Sequence, residues 1–176
     1  MNEKLFKATS IFVDALRYFE VAFLQQQYPG SKWDEVLFGK LKVQQQVAWN
    51  NRKQMLEEGT DLRCLIDFDN MKGFALGFKS ELASSNTIAY ADVSNMATWL
   101  EELHQTRNKM SHHNPIDKDE TNNAFYNMKR IAKLLGMTDL VSELDHIQNK
   151  SDDVVAPQAS APQQPVTTTV QTTSDN

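Results

Sequence analysis

The stretch M-A-T-W-L-E-E-L-H-Q-T-R-N-K-M-S-H-H-N-P, Met96 to Pro115, governs how this chain reads. Met96, Leu100, Leu103 and Met110 fall at the three- and four-residue steps of one helical face. Arg107 stands in that series between Leu103 and Met110, where an apolar residue is expected. A guanidinium cannot shed its charge, so it has no cheap way to sit in a dry seam. Asn108 follows, one turn before His112, and then a second histidine, His113. The helix thus gathers a fixed cation, an amide and a titratable imidazole within two turns. Asn114-Pro115 stops it, because the residue before a proline is pushed out of the helical region.

Upstream, Glu3 to Gln27 reads as a first helix with Leu5, Ala8, Phe12, Leu16, Phe19 and Phe23 inward. Tyr28-Pro29-Gly30 ends it, and Ser31 is the expected cap of a second helix from Lys32 to Glu57. Trp33, Leu37, Leu41, Val47 and Met55 are its expected inner stripe, diluted by Gln44 to Gln46, with a bend at Gly39. A third helix spans Leu62 to Phe78, weakened by Gly73 and Gly77. Ser80 to Ala91 reads as a polar connection, and Asp92 or Ser94 as the cap of the Met96 helix. Downstream, Asn114 to Lys118 is a loop and Asp119 to Leu135 a helix. Gly136 ends it, and Thr138 caps a last helix, Asp139 to Gln148. The pattern predicts an all-α fold, a compact bundle of five or six helices over residues 1–148. Residues 149–176 form the second region. From Ser151 they hold prolines, glutamines and a T-T-T-V-Q-T-T run without an aromatic, and predict a disordered tail.

The charge inventory narrows the function classes. All 18 Lys and Arg precede Ser151, against 20 Asp and Glu, so the body is close to neutral at −2. That is no general polyanion-binding composition, and nucleic acid would have to be held by a local patch. The single cysteine, Cys64, excludes an internal disulfide and a four-cysteine zinc site. With no apolar run near the ~18 residues that span a bilayer, the chain is expected to be soluble, cytoplasmic and without a membrane partner.

The individual residues each have a plain structural explanation. Arg107 could carry its head to the bundle edge, or pair with an acid such as Glu101 or Glu102. His112 alone would be a helix-terminus residue favoured by the dipole. His104 shares a ridge with Asn108 and His112, but three convergent ligands are not evident and no metal is expected. Lys129, Arg130 and Lys133, with Lys118 before them, read first as a solvated face and second as phosphate-positioning groups. Trp33, Trp49 and Trp99 are simplest as core or interface residues. On an ideal helix Arg107 and His112 stand about 140° apart. One chain therefore closes both on one phosphate only if the last turn unwinds, whereas two facing copies could do so, which favours a symmetric dimer.

The spacing R-N-x-x-x-H, Arg107 to His112, resembles the signature of the HEPN superfamily of helical ribonuclease and toxin domains. A-L-R-Y-F-E-V-A-F-L (Ala15 to Leu24), K-W-D-E-V-L (Lys32 to Leu37) and D-L-R-C-L-I (Asp61 to Ile66) resemble one branch of it. That branch is named after a transcript-quality-control endonuclease and is widespread in bacterial defence loci. The resemblance covers about residues 10–148. One departure is local: Met110-Ser111 stands where the family often has Trp-Ala. The resemblance implies a metal- and cofactor-independent endoribonuclease working as a homodimer on RNA, often as a toxin or phage-defence effector with a neutralising antitoxin or defence-complex partner. It further implies catalytic roles for Arg107, Asn108 and His112. Arg107 would clamp the scissile phosphate, His112 would move protons at the 2′-OH and leaving group, and Asn108 would orient the imidazole or donate to a phosphate oxygen. Lys109, His113, Lys118, Lys129, Arg130 and Lys133 are the remaining expected RNA contacts.

Two other readings compete. A non-catalytic HEPN module would dimerise, bind RNA or regulate a larger complex without turnover. A helical protein–protein adaptor would bury Arg107 against an acid and leave no cleft exposing His112.

Overall fold

The computed structural model describes residues 3–85 and 88–150. Among the described residues the chain is wholly helical, with eight α-helices and one 3-10 turn and no strand. The expected class holds, and the helix number rises because the helix expected over 32–57 is divided and a further helix forms where a polar connection was expected. The proposed tail, from Ser151 onward, lies outside the described residues.

Helix α1 (Glu3–Gln27) runs the full expected length. Leu5, Ala8, Phe12, Leu16 and Phe23 are buried, and Phe19 is half-buried against Phe23 at 6.2 Å between ring centres. The helix is central: it touches α2 (Trp33–Lys40), α4 (Phe68–Gly77), α7 (Lys118–Leu134) and α8 (Thr138–Asn149). Phe12, Phe74, Phe78, Phe125 and Trp49 are the largest buried side chains, each contributing about 1.5–3 kcal/mol through removal from water.

The single helix expected over 32–57 is two, α2 and α3 (Val43–Gln54), and the break falls at Leu41–Lys42, not Gly39. Both break residues are extended, and Leu41 is buried. The glutamines that diluted the stripe satisfy the break. Gln45 Oε1 accepts the Lys42 N–H at 2.9 Å, its amide nitrogen donates to the Asp69 carbonyl at 2.7 Å, and Gln46 donates to the Phe38 carbonyl at 2.9 Å. The break resets the register. Trp49 is buried, edge-on to Trp33 at 6.5 Å, while Val47 and Met55, expected inward, are exposed. Ser31 and Thr138 do not cap: Lys32 and Met137 take those positions without a side-chain cap bond.

Residues 62–78 divide into the 3-10 turn Leu62–Leu65 and α4. Asp67 caps α4, accepting the Asn70 N–H at 2.9 Å. Gly73 and Gly77 lie where the α2–α3 corner crosses. A Cβ on Gly73 would meet Leu41 Cδ2, and one on Gly77 would meet Lys40 Cβ, each at 2.9 Å. The two glycines are packing residues: the helix passes through Gly73 and ends at Gly77. The expected polar connection after Phe78 begins instead with α5 (Lys79–Ser85), because Leu82 is fully buried and Glu81 accepts the Tyr28 hydroxyl at 3.0 Å. Helix α6 (Tyr90–Ser111) begins earlier than expected, with Ala89 at the cap position and Asp92 inside the first turn, where its charge suits the helix dipole. It packs on α4 and on α7.

A cleft at the end of the sixth helix

Val93, Met96, Ala97, Leu100, Leu103 and Met110 form the buried ridge of α6. Arg107 leaves that ridge for solvent: it is exposed, and no described residue bonds or pairs with its guanidinium. The acids that could have neutralised it are engaged elsewhere. Glu101 pairs with Lys72, and Glu102 accepts from Asn127 at 2.6 Å and Asn123 at 3.3 Å. The Lys72 hydrogen bond holds the Glu101 carboxyl below its ordinary range, and the same bond raises the lysine. A burial of Arg107 against an acid, which the adaptor reading required, does not occur.

The helix ends at Ser111, before Asn114-Pro115 can act. His112 is the C-cap and His113 enters the left-handed region with φ 57°. The His113 N–H bonds the Met110 carbonyl at 3.2 Å and the Asn114 N–H bonds the Lys109 carbonyl at 3.0 Å. This is the two-bond helix stop that normally carries glycine at the left-handed position. A bulky residue held at positive φ costs free energy, and such positions cluster at functional sites. The last turn keeps its α-helical bond, the His112 N–H to the Asn108 carbonyl at 3.1 Å, so one chain does not bring Arg107 and His112 together, and the two histidines part. His113 joins Arg107 on one cleft, whereas His112 is exposed and Asn108 half-buried, neither lining it.

The cleft has a volume of about 380 Å³. Arg107, Met110, Ser111 and His113 form one wall, with His104 farther up α6. Opposite stands a ridge of α1: Phe6, Thr9, Ser10, Val13, Asp14 and Arg17. Asp67 and Phe68, at the start of α4, close the base. His104 lies nearly parallel to Phe68, 6.1 Å between ring centres. Arg17 is structural, with Nε donating to the Ile66 carbonyl at 2.8 Å, Nη2 to the Cys64 carbonyl at 3.3 Å and Nη1 to Asp14 at 3.1 Å. A family model described as Swt1-like HEPN matches residues 7–136, which include every cleft residue but Phe6. The chain belongs to this family. Comparisons with curated proteins and with solved structures return no match.

The HEPN match stops before α8, which nevertheless packs on α1 and α7. The other cations named from the sequence lie on α6 and α7. Lys109 pairs with Glu120. Lys129 reaches Asp145 at 2.7 Å and Gln148 at 2.9 Å. The Arg130 guanidinium lies over Trp99 at 3.8 Å and near Tyr126 at 4.8 Å. Lys118 and Lys133 are exposed. Helix α7 therefore offers no single basic strip beside the cleft.

Asp69, Glu101 and His104 bring possible metal-ligand atoms within 4.8 Å of one another. The Lys72 ammonium already bridges both acids, at 3.3 Å from Asp69, and a metal ion would have to displace it. The α1 wall was missed from the sequence because its ridge mixes apolar, hydroxyl and charged residues. The signal within reach was Phe6, an aromatic off the core stripe and 58% exposed.

Proposed function

We propose that this HEPN domain is a metal-independent endoribonuclease that cleaves RNA at the α6 cleft. The observation that carries the reading is the unpaired Arg107 guanidinium on the cleft wall, with two histidines at the end of the same helix. Arg107 would hold a phosphodiester and stabilise the charge that grows on its oxygens during attack. An imidazole would take the proton of the ribose 2′-OH as that oxygen bonds to phosphorus. The P–O5′ bond then breaks, its oxygen takes up a proton, and a 2′,3′-cyclic phosphate and a 5′-OH remain. Water is not the nucleophile, so no metal is needed to activate one. The R-N-x-x-x-H spacing assigns the imidazole to His112, with Asn108 orienting it, and the cleft geometry offers His113. A homodimer accommodates both, the exposed His112 of one copy reaching the cleft of the other. In the cell such cutting would act as a toxin or defence activity, restrained by a partner protein.

Purified protein with RNA and EDTA tests this. Cleavage yielding cyclic phosphate, abolished by Arg107→Ala and by one of His112→Ala or His113→Ala with the fold retained, is the expected result. Full activity in Arg107→Ala would remove the mechanism. The engagement of Lys109 and Lys129 by acids favours the second reading, a non-catalytic module. RNA binding without turnover in folded protein would select it.

A further inference from the structure

The two sides of the α6 cleft differ in chemistry, and a phosphate satisfies only one of them. Arg107 and His113 suit an anion. The opposite side carries Asp14 and Asp67, already paired with Arg17 and Arg52, between apolar surfaces of Phe6, Val13 and Phe68, and offers an anion no free cation. A planar group with N–H donors on its edge suits that side, and a nucleobase next to the held phosphate is such a group. Phe6 is 58% exposed at the rim, while Phe68 is buried and backed by the parallel His104 ring. The two carboxylates are not equivalent. Both Asp67 oxygens are engaged, by the Asn70 N–H and by Arg52. Asp14 gives Oδ1 to Arg17 at 3.1 Å and no described residue bonds its Oδ2.

We infer that the α1 side of the cleft is a base-reading pocket in which Asp14 selects guanine in a nucleotide adjoining the scissile phosphate. The inference rests on the ribonuclease reading and names its substrate preference. A carboxylate accepts two parallel donors. Guanine alone presents N1–H and the N2 amino group side by side. Adenine and cytosine present one amino group beside an acceptor. Uracil places its single N–H between two carbonyls that the acid repels. Guanine therefore ranks first and uracil last, by about tenfold or more for a paired contact of this kind.

The full chain is incubated with a randomised RNA in EDTA and the cut positions are sequenced, for wild type, Asp14→Asn and Arg107→Ala. Asp14 is largely exposed and Arg17 keeps its two carbonyl partners, so Asp14→Asn should fold, as a melting curve would verify. Arg107-dependent cuts concentrated beside guanine, with the bias lost in Asp14→Asn, are expected. Arg107-dependent cuts with no base bias, or a bias unchanged by Asp14→Asn, overturn the pocket and leave the ribonuclease standing. If wild type cuts nothing, the ribonuclease reading falls, and titration with GMP and UMP decides the pocket. Tighter GMP binding that disappears in Asp14→Asn supports it, and equal binding of the two overturns it.

Discussion

Arg107 and Arg130 sit on adjacent helices and differ in burial and in what their guanidiniums touch. Arg130 lies over Trp99 and beside Tyr126, and its neighbour Lys129 ties α7 to α8. Arg107 has open cleft before it. Lys129 and Arg130 tie α7 to its neighbours, whereas Arg107 is left unpaired and exposed, and His113 just beyond it is conformationally costly. A surface ion pair or stacked cation is worth about 0–1 kcal/mol, so leaving one arginine free loses little stability. The most direct way to break this comparison is to truncate both. Arg107→Ala should lower cleavage by about 10²–10³-fold, the usual loss for one preorganised charge-stabilising donor. Its melting temperature should stay near wild type. Arg130→Ala should do the reverse, losing about 1 kcal/mol of stability with cleavage retained. Equal effects on both readouts would erase the distinction.

One acidic group near the cleft is buried without a partner. Glu20 is buried on α1, and its Oε2 has no partner in the described structure. Burial raises its carboxyl well above the ordinary range. Arg17 pulls it down in part, and the Asp67 charge pushes it up again. A carboxyl whose folded pKa is raised keeps its proton more tightly in the native state. Its contribution is then complete below the unfolded value of roughly pH 4.3 and declines as pH rises through the folded value. Glu20→Gln keeps the shape and removes the titration. The variant's stability should track wild type in acid and exceed it increasingly toward neutral pH, at no more than about 1.4 kcal/mol per pH unit. Denaturant melts at several pH values measure this, and a gap that does not change with pH would reject the buried-acid assignment.

Packing away from the cleft is sharpened by Gly77. Alanine there would ordinarily gain about 0.5–1 kcal/mol from helix propensity. Its Cβ would lie 2.9 Å from Lys40 Cβ, close to the backbone of the α2–α3 corner, so the neighbour cannot simply swing away. Overpacking of this kind costs about 1–3 kcal/mol. The net expectation is a loss of about 1–2 kcal/mol in chemical denaturation, with cleavage per folded molecule unchanged. Stabilisation by Gly77→Ala would show that the corner does not press on α4.

What the sequence made legible follows from which interactions are local. The α1 stripe, the α6 ridge and the α7 inner face are periodic, and each was readable to within a residue or two at most ends. The α2–α3 break was not, because Leu41 is drawn out of the helix by packing on Gly73, far away in sequence. At the site, Arg107 was legible as a charge in an apolar series. The parting of His112 and His113 was not, since it depends on a left-handed helix stop built without glycine. Nor was Asp14, whose position opposite Arg107 arises only because α4 and α7 each pack against both α1 and α6.

That helix stop supplies the smallest and most specific test. His113 occupies a backbone conformation that glycine adopts freely, at φ 57°. His113→Gly should therefore stabilise the domain by about 1 kcal/mol, through relief of the left-handed strain. The same change deletes the imidazole that lines the cleft with Arg107. If His113 moves the proton, the variant is more stable and inactive, a combination that damage to the fold cannot imitate. If His112 moves it, His113→Gly stays active, and His112→Ala, at an ordinary helical cap, is inactive with little change in stability. Thermal melts and cleavage measured on the same preparations separate the two. A destabilised His113→Gly would mean that the imidazole makes contacts outweighing its backbone cost, and the contrast between a strained cleft and a relaxed body would lose its clearest instance.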